Sequence, residues 1–107
     1  QEFHPAVLQA LQHVVTAAHA EGKPVGVCGE MAGSPSAALL LTAMGYDVLS
    51  MNATNLLMVK WALSNFSLEK AKLILNQTLK MDNAYLIKNF VDEELRKAGL
   101  GQVIRSR

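Results

Sequence analysis

A chain of 107 residues can hold one small domain with a real core and is too short to expect two, so residues 1–107 read as a single unit. Ten basic side chains face nine acidic ones, for a formal net charge of +1, which leaves no electrostatic footprint for nucleic acid or an anionic membrane. No apolar run approaches the roughly 20 residues that span a bilayer, the N-terminus lacks a signal-peptide pattern, and the single cysteine allows no internal disulfide; a reducing, cytoplasmic setting is expected.

The first predicted element lies in "HPAVLQALQHVVTAAHAEG". Pro5 stands where a first helical turn accepts proline, apolar residues recur at Val7, Leu8, Leu11, Val14, Val15 and Ala18, and Gly22 is a natural stop, so a helix is expected over roughly 5–20. "VGVC", residues 25–28, is bounded by turn signals and too short for a helix, and reads as a buried strand. The loop "GEMAG" follows. Ser34 then caps a helix that opens on Pro35, runs through "PSAALLLTAM" and stops at Gly45. "DVLSM" reads as a second short strand, and Asn52 to Asn55 as a polar turn. Three helical pieces complete the chain: "LLMVKWALS", a segment capped by Ser67 through "LEKAKLILNQTLK", and one from about Asp82 to Lys97 ended by Gly99. In the last, Ala84, Ile87, Val91 and Leu95 fall at helical spacing with Phe90 beside them.

Strand and helix alternate, which is the pattern of an α/β fold with parallel strands, because a parallel pair needs a crossover helix. Two parallel strands alone would leave unpaired edges and an uncovered face, so more strands must come from another copy of the chain or from a larger fold.

In parallel α/β folds chemistry collects at the C-terminal ends of the strands. Cys28 stands at that end of the first strand, as does Met51-Asn52 on the second. Alternation puts Gly26 and Cys28 on one face and Val25 and Val27 on the other, so a ligand could approach Cys28 past the smallest side chain. Against this stands the habit of a lone cysteine in an apolar run, which is most often a buried small hydrophobe; composition alone favours that reading. His4, His13 and His19 show no paired-ligand spacing with one another or with Cys28, and His13 and His19, six apart, do not share a helix face. They read as solvated helix residues. "GEMAGSPS" lacks the lysine of a phosphate-cradling P-loop.

"HPAVLQALQ", "GKPVGVCGEMAGSPSAALLL" and "MGYDVLSMNATNL" together resemble the last part of the phosphoenolpyruvate (PEP)-binding barrel of the PEP-protein phosphotransferases, enzyme I of the phosphotransferase system. The most specific piece is "VCGEMAG", followed by Pro35 and then "MGYDVLSMN". Pyruvate phosphate dikinase and PEP synthase share a related cysteine loop and are the alternatives within the same chemistry. "MNATNLLMVKW" leans toward the nitrogen-related branch of enzyme I. The resemblance implies that the chain is the C-terminal fragment of a (βα)8 TIM barrel, with the two short parallel strands as its seventh and eighth and a helix-rich C-terminal half.

It further implies a parent enzyme that moves the phosphoryl group of PEP to an enzyme histidine and on to a histidine-containing phosphocarrier protein, leaving pyruvate. Cys28 matches the family cysteine that protonates the enolate, and Gly29 and Glu30 belong to its substrate loop. An ionised Glu30 would disfavour a thiolate and keep the acid form loaded; the other reading, of equal standing, is that Glu30 packs against or hydrogen-bonds the loop. The family's magnesium ion (Mg2+) and phosphate-binding arginines come from earlier strands, and the only arginines here are Arg96, Arg105 and Arg107, so this stretch alone should bind no metal and be inert. Where the family usually has an aspartate after "AG", this chain has Ser34, which still caps the helix. Homodimerisation is expected. The competing reading from another class is a helical interaction module in which Cys28 is passive core. A thiol redox protein, lacking a resolving cysteine, ranks last.

Overall fold

The computed structural model describes residues 3–28 and 34–99. The first helix, α1, spans Pro5–Ala20; His4 is extended, and its Nδ1 accepts the Ala6 N–H at 3.1 Å. Leu8 and Val15 are fully buried and Leu11 and Ala18 half-buried, but Val7 and Val14 are 37% and 50% exposed. The apolar stripe is thus narrower than the sequence suggests, because two valines seven apart lie together along its edge.

Two strands follow, β1 (Gly26–Cys28) and β2 (Val48–Ser50), separated by helix α2 (Pro35–Met44). They pair in parallel, with Gly26 opposite Val48, Val27 opposite Leu49 and Cys28 opposite Ser50. Each is shorter than expected by one or two residues. Val25 lies before the ladder, although its backbone still exchanges hydrogen bonds with Asp47: the Asp47 N–H donates to the Val25 carbonyl, and the Val25 N–H donates to Asp47 Oδ2.

α2 is the centre of the packing. Its run of Ala and Leu is apolar all round, and every residue but Thr42 is buried, as a helix with no polar face requires. Ser34 Oγ accepts the Ala37 N–H, Pro35 opens the helix, and Gly45 ends it at φ +108°, a left-handed conformation that L side chains rarely adopt. Helices α3 (Ala53–Ser64), α4 (Leu68–Thr78) and α5 (Ala84–Lys97) pack around it. The core joins Phe3, Leu8 and Val15 to Leu39, Leu40 and Leu41 of α2, Ile74 and Leu75 of α4, and Ile87, Val91 and Leu95 of α5. Tyr46 is held against it by its hydroxyl, which donates to the Leu11 carbonyl at 2.9 Å, and burial pushes its phenol pKa up.

Asn52 to Asn55 is not a turn. Asn52 is the N-cap of α3, its side chain accepting the Asn55 N–H at 3.0 Å, and the helix starts at Ala53, three residues before the expected "LLMVKWALS". Asparagine serves turns and caps through the same side-chain acceptor, and here the cap wins. Similarly α4 ends at Thr78, short of Lys80, and α5 opens at Ala84 behind an Asn83 cap, two residues after Asp82.

Val27 and Leu49 pack on the helical core, whereas Gly26, Val48 and Ser50 are exposed. The two-stranded sheet is covered on one face. No helix among the described residues is long and apolar enough to cross a membrane.

Candidate functional site

Because β1 and β2 run parallel, their last residues, Cys28 and Ser50, end at the same side of the sheet and stand in register. The chain leaves both strands there and enters helices. α2 begins at Pro35, and α3 begins at Ala53, directly after Met51 and the Asn52 cap. Helix N-termini carry partial positive charge, and in both helices the cap side chain takes one of the free N–H groups, Ser34 that of Ala37 and Asn52 that of Asn55.

Cys28 is therefore where the sequence reading puts it, at the C-terminal end of its strand, and the pairing adds Ser50 as its neighbour on the adjacent strand. Gly26, Val48 and Ser50 belong to the face turned away from the helices, and Cys28 occupies the same alternation position as Gly26. Gly26 matters here: a Cβ on it would come within 3.1 Å of Val48 Cβ and 3.2 Å of the Val48 carbonyl oxygen, so the two strands converge closely on this face. Gly29 and Glu30 lie outside the described residues.

His13 is exposed. His19 is engaged elsewhere, its Nε2 lying 2.8 Å from Asp47 Oδ2 at the N-terminal side of the strands. That carboxyl sits below its ordinary pKa, first through the His19 hydrogen bond and then through the Val25 N–H. No group of three His, Cys, Asp or Glu side chains converges among the described residues. A hollow between α4 and α5, lined by Leu73, Ile74, Phe90 and Glu94 among others, takes no residue from either strand.

The sequence reading missed two further groupings. Ser50 had no local signal beyond its place at a strand end. Ser36 and Asp92 are buried together, the Ser36 hydroxyl donating to Asp92 Oδ1 while Lys88 Nζ lies 2.6 Å from Asp92 Oδ2. A carboxylate one residue after Val91, on the edge of the apolar face of α5, was the available hint.

The described unit is of the parallel α/β class, in which loops at the C-terminal ends of the strands, here after Cys28 and Ser50, are the usual place for chemistry. Residues 1–68 match the family described as PEP-utilising enzyme, PEP-binding domain, and the chain belongs to that family. It is 43% identical over 91 residues, 85% of its length, to a phosphoenolpyruvate-protein phosphotransferase of Geobacillus stearothermophilus. It is 38% identical over 98 residues, 92% of its length, to the protein of that name from Haemophilus influenzae. A Salmonella typhimurium protein named phosphoenolpyruvate-dependent phosphotransferase system is 33% identical over 103 residues, 96% of the chain. The chain spans 16%, 17% and 14% of the lengths of these three relatives.

Proposed function

We propose that these residues form the C-terminal part of the PEP-binding barrel of a phosphoenolpyruvate-protein phosphotransferase, and that Cys28 protonates the enolate left when the phosphoryl group departs. The observation that carries this reading is the position of Cys28 at the C-terminal end of a parallel strand, within the stretch that matches the PEP-binding family. The open face of the sheet supports the barrel: Gly26, Val48 and Ser50 are uncovered on the side that would face a barrel interior, while Val27 and Leu49 face the helices that would form its outer ring.

In this mechanism PEP loses its phosphoryl group to a histidine of the longer polypeptide, which passes it to a histidine-containing carrier protein. The enolate of pyruvate remains. Its terminal carbon takes the thiol proton of Cys28: the S–H bond breaks, a C–H bond forms, the carbonyl re-forms at the adjacent carbon, and a thiolate remains to be reprotonated by solvent. A thiol suits the step because its ordinary pKa of about 8.5 keeps it protonated near neutrality while leaving it acidic enough to give the proton up. The N-terminus of α3, which follows the second strand end with Asn52 and Ala53 exposed, favours an anionic substrate. Magnesium and the phosphate-binding cations belong to parts of the barrel outside these residues.

The test is turnover of PEP by the longer phosphotransferase that includes this sequence, wild type against Cys28→Ala. Loss of about 100-fold or more with PEP binding retained is expected for a missing general acid. Full turnover by the variant would make the thiol a packing residue.

A further inference from the structure

The buried carboxylate of α5 reaches the helix that follows the cysteine strand. β1 ends at Cys28 and α2 begins at Pro35, so the connection between them is fixed at one end by the strand pairing and at the other by whatever holds the first turn of α2. That turn, Pro35 to Ala38, is buried and built from small side chains. Apolar contacts are non-directional and specify the rotation and sliding of such a helix only weakly. Ser36 supplies direction. Its hydroxyl donates to Asp92 Oδ1 on α5, a charge-assisted bond roughly twice as strong as a neutral one. Asp92 is itself held: Lys88 Nζ lies 2.6 Å from its other oxygen, and Val91 and Leu95 on either side of it along α5 are fully buried.

We propose that Asp92 is a positioning residue for the site: through Ser36 it fixes the first turn of α2, and with it the far end of the connection that leaves Cys28. This deepens the function proposed above and rests on it. Asp92 belongs to α5, beyond residues 1–68 that match the PEP-binding family, so on this assignment the C-terminal helices take part in the site and do more than cover the core. A short connection with both ends fixed has fewer arrangements than one with a loose end, and a reacting group displaced by about 1 Å can lose about 100-fold in rate. Ser36 is fully buried, which leaves it this role and closes it to substrate.

The experiment uses the longer phosphotransferase with Asp92→Ala, Asp92→Asn, the double variant Ser36→Ala with Asp92→Ala, and Cys28→Ala. It reads steady-state turnover of PEP, the urea midpoint, and hydrogen exchange of peptides covering α2. In Asp92→Ala, kcat should fall about tenfold while KM for PEP changes by less than about twofold, and exchange should quicken in the first turn of α2 ahead of the rest of the helix. Asp92→Asn keeps an oxygen acceptor for Ser36 and should recover most of both. The double variant no longer buries an unsatisfied hydroxyl and regains part of its stability, but its kcat should stay low because the anchor is still missing. A merely structural pair would instead let kcat return with the urea midpoint, and wild-type kcat in the double variant would overturn the proposal. Unchanged kcat in Asp92→Ala, with Cys28→Ala inactive, would overturn the role of Asp92 and leave that of Cys28 standing. Full turnover by Cys28→Ala would overturn both.

Discussion

Asp92 on α5 accepts a hydrogen bond from Ser36 in the first turn of α2, 56 residues earlier in the chain, and pairs through its other oxygen with Lys88 one turn back on its own helix. Ser36 is fully buried and Asp92 is 7% exposed, so both oxygens of a nearly buried carboxylate are occupied. Lys88 also lies 5.9 Å from the centroid of the Phe3 ring, which brings the start of the chain into the same cluster.

Removing that carboxylate should be costly. Asp92→Ala strands the Ser36 hydroxyl without an acceptor, and an unsatisfied buried group costs about 1–3 kcal/mol; Lys88, partly exposed, can return to water and adds little. Asp92→Ala combined with Ser36→Ala removes both partners and should recover part of the loss. Urea unfolding midpoints of the single and double variants check this. Equal midpoints for wild type and Asp92→Ala would show that the pair contributes nothing.

Gly26 is expected to resist even a methyl group. An alanine Cβ there meets the Val48 side chain at 3.1 Å and its backbone oxygen at 3.2 Å, and the backbone contact cannot be relieved by a rotamer change. Overpacking typically costs about 1–3 kcal/mol, offset by the roughly 0.4–1 kcal/mol that alanine gains by restricting the unfolded chain. Gly26→Ala should therefore lower stability by about 1 kcal/mol net, and adding Val48→Ala, which keeps both the Cβ and the carbonyl, should not relieve it. Rescue by the second change would mean that the valine methyls, and not these two contacts, resist the added carbon.

The Asn52 cap offers a direct test of the helix start. Asn52→Ala removes the acceptor for the Asn55 N–H and should destabilise by about 1 kcal/mol, whereas Asn52→Gly should cost a few tenths. Chemical denaturation of the two variants measures the cap. An Asn52→Ala variant as stable as wild type would show that the Asn55 N–H gains nothing from it.

These residues also show which parts of the structure are legible in sequence. α2 is readable at both ends because Ser34-Pro35 and Gly45 constrain the backbone locally, whatever packs around them. The inward face of α5 is readable because three- and four-residue spacing fixes which side chains share a face, and Ile87, Val91 and Leu95 are all fully buried. Asn52 misleads because its side chain serves caps and turns alike. The Ser36–Asp92 contact and the Cys28–Ser50 register depend on how distant segments meet, and no local pattern encodes that. The strand carrying Cys28 is legible from a four-residue apolar run, while its partner on the next strand is not.

The His19–Asp47 pair makes a prediction about pH. Asp47 Oδ2 accepts from His19 Nε2 and from the Val25 N–H, each at 2.8 Å, and these bonds hold its carboxyl below the ordinary value of 3.8. A folded-state pKa below the unfolded one means the unfolded chain binds more protons between the two values. The stabilisation is then fully present above the unfolded value and is lost as pH falls through the folded value. The urea midpoint of wild type should exceed that of Asp47→Asn at about pH 5, by a small margin because both partners are exposed, and the gap should close as the pH falls below the ordinary carboxylate range. A gap that widens on acidification would contradict the assigned direction.

The open face of the sheet sets the last expectation. β1 and β2 form a two-stranded sheet in the described residues, with Val48 55% exposed on its uncovered face, and α3 presents Leu57 and Trp61 at 73% and 49% exposure. Unpaired strand edges and exposed large apolar side chains favour pairing with another chain. The 107-residue chain alone should therefore associate in solution, and light scattering should give a mass above that of the 11.6 kDa monomer. If α3 contributes to the contact, Trp61→Glu with Leu57→Lys should shift the mass downward; if the strand edges alone are responsible, the double variant should associate as before. A strictly monomeric mass for the unaltered chain would show that these surfaces are tolerated in water, and would remove association as an argument that further strands normally cover them.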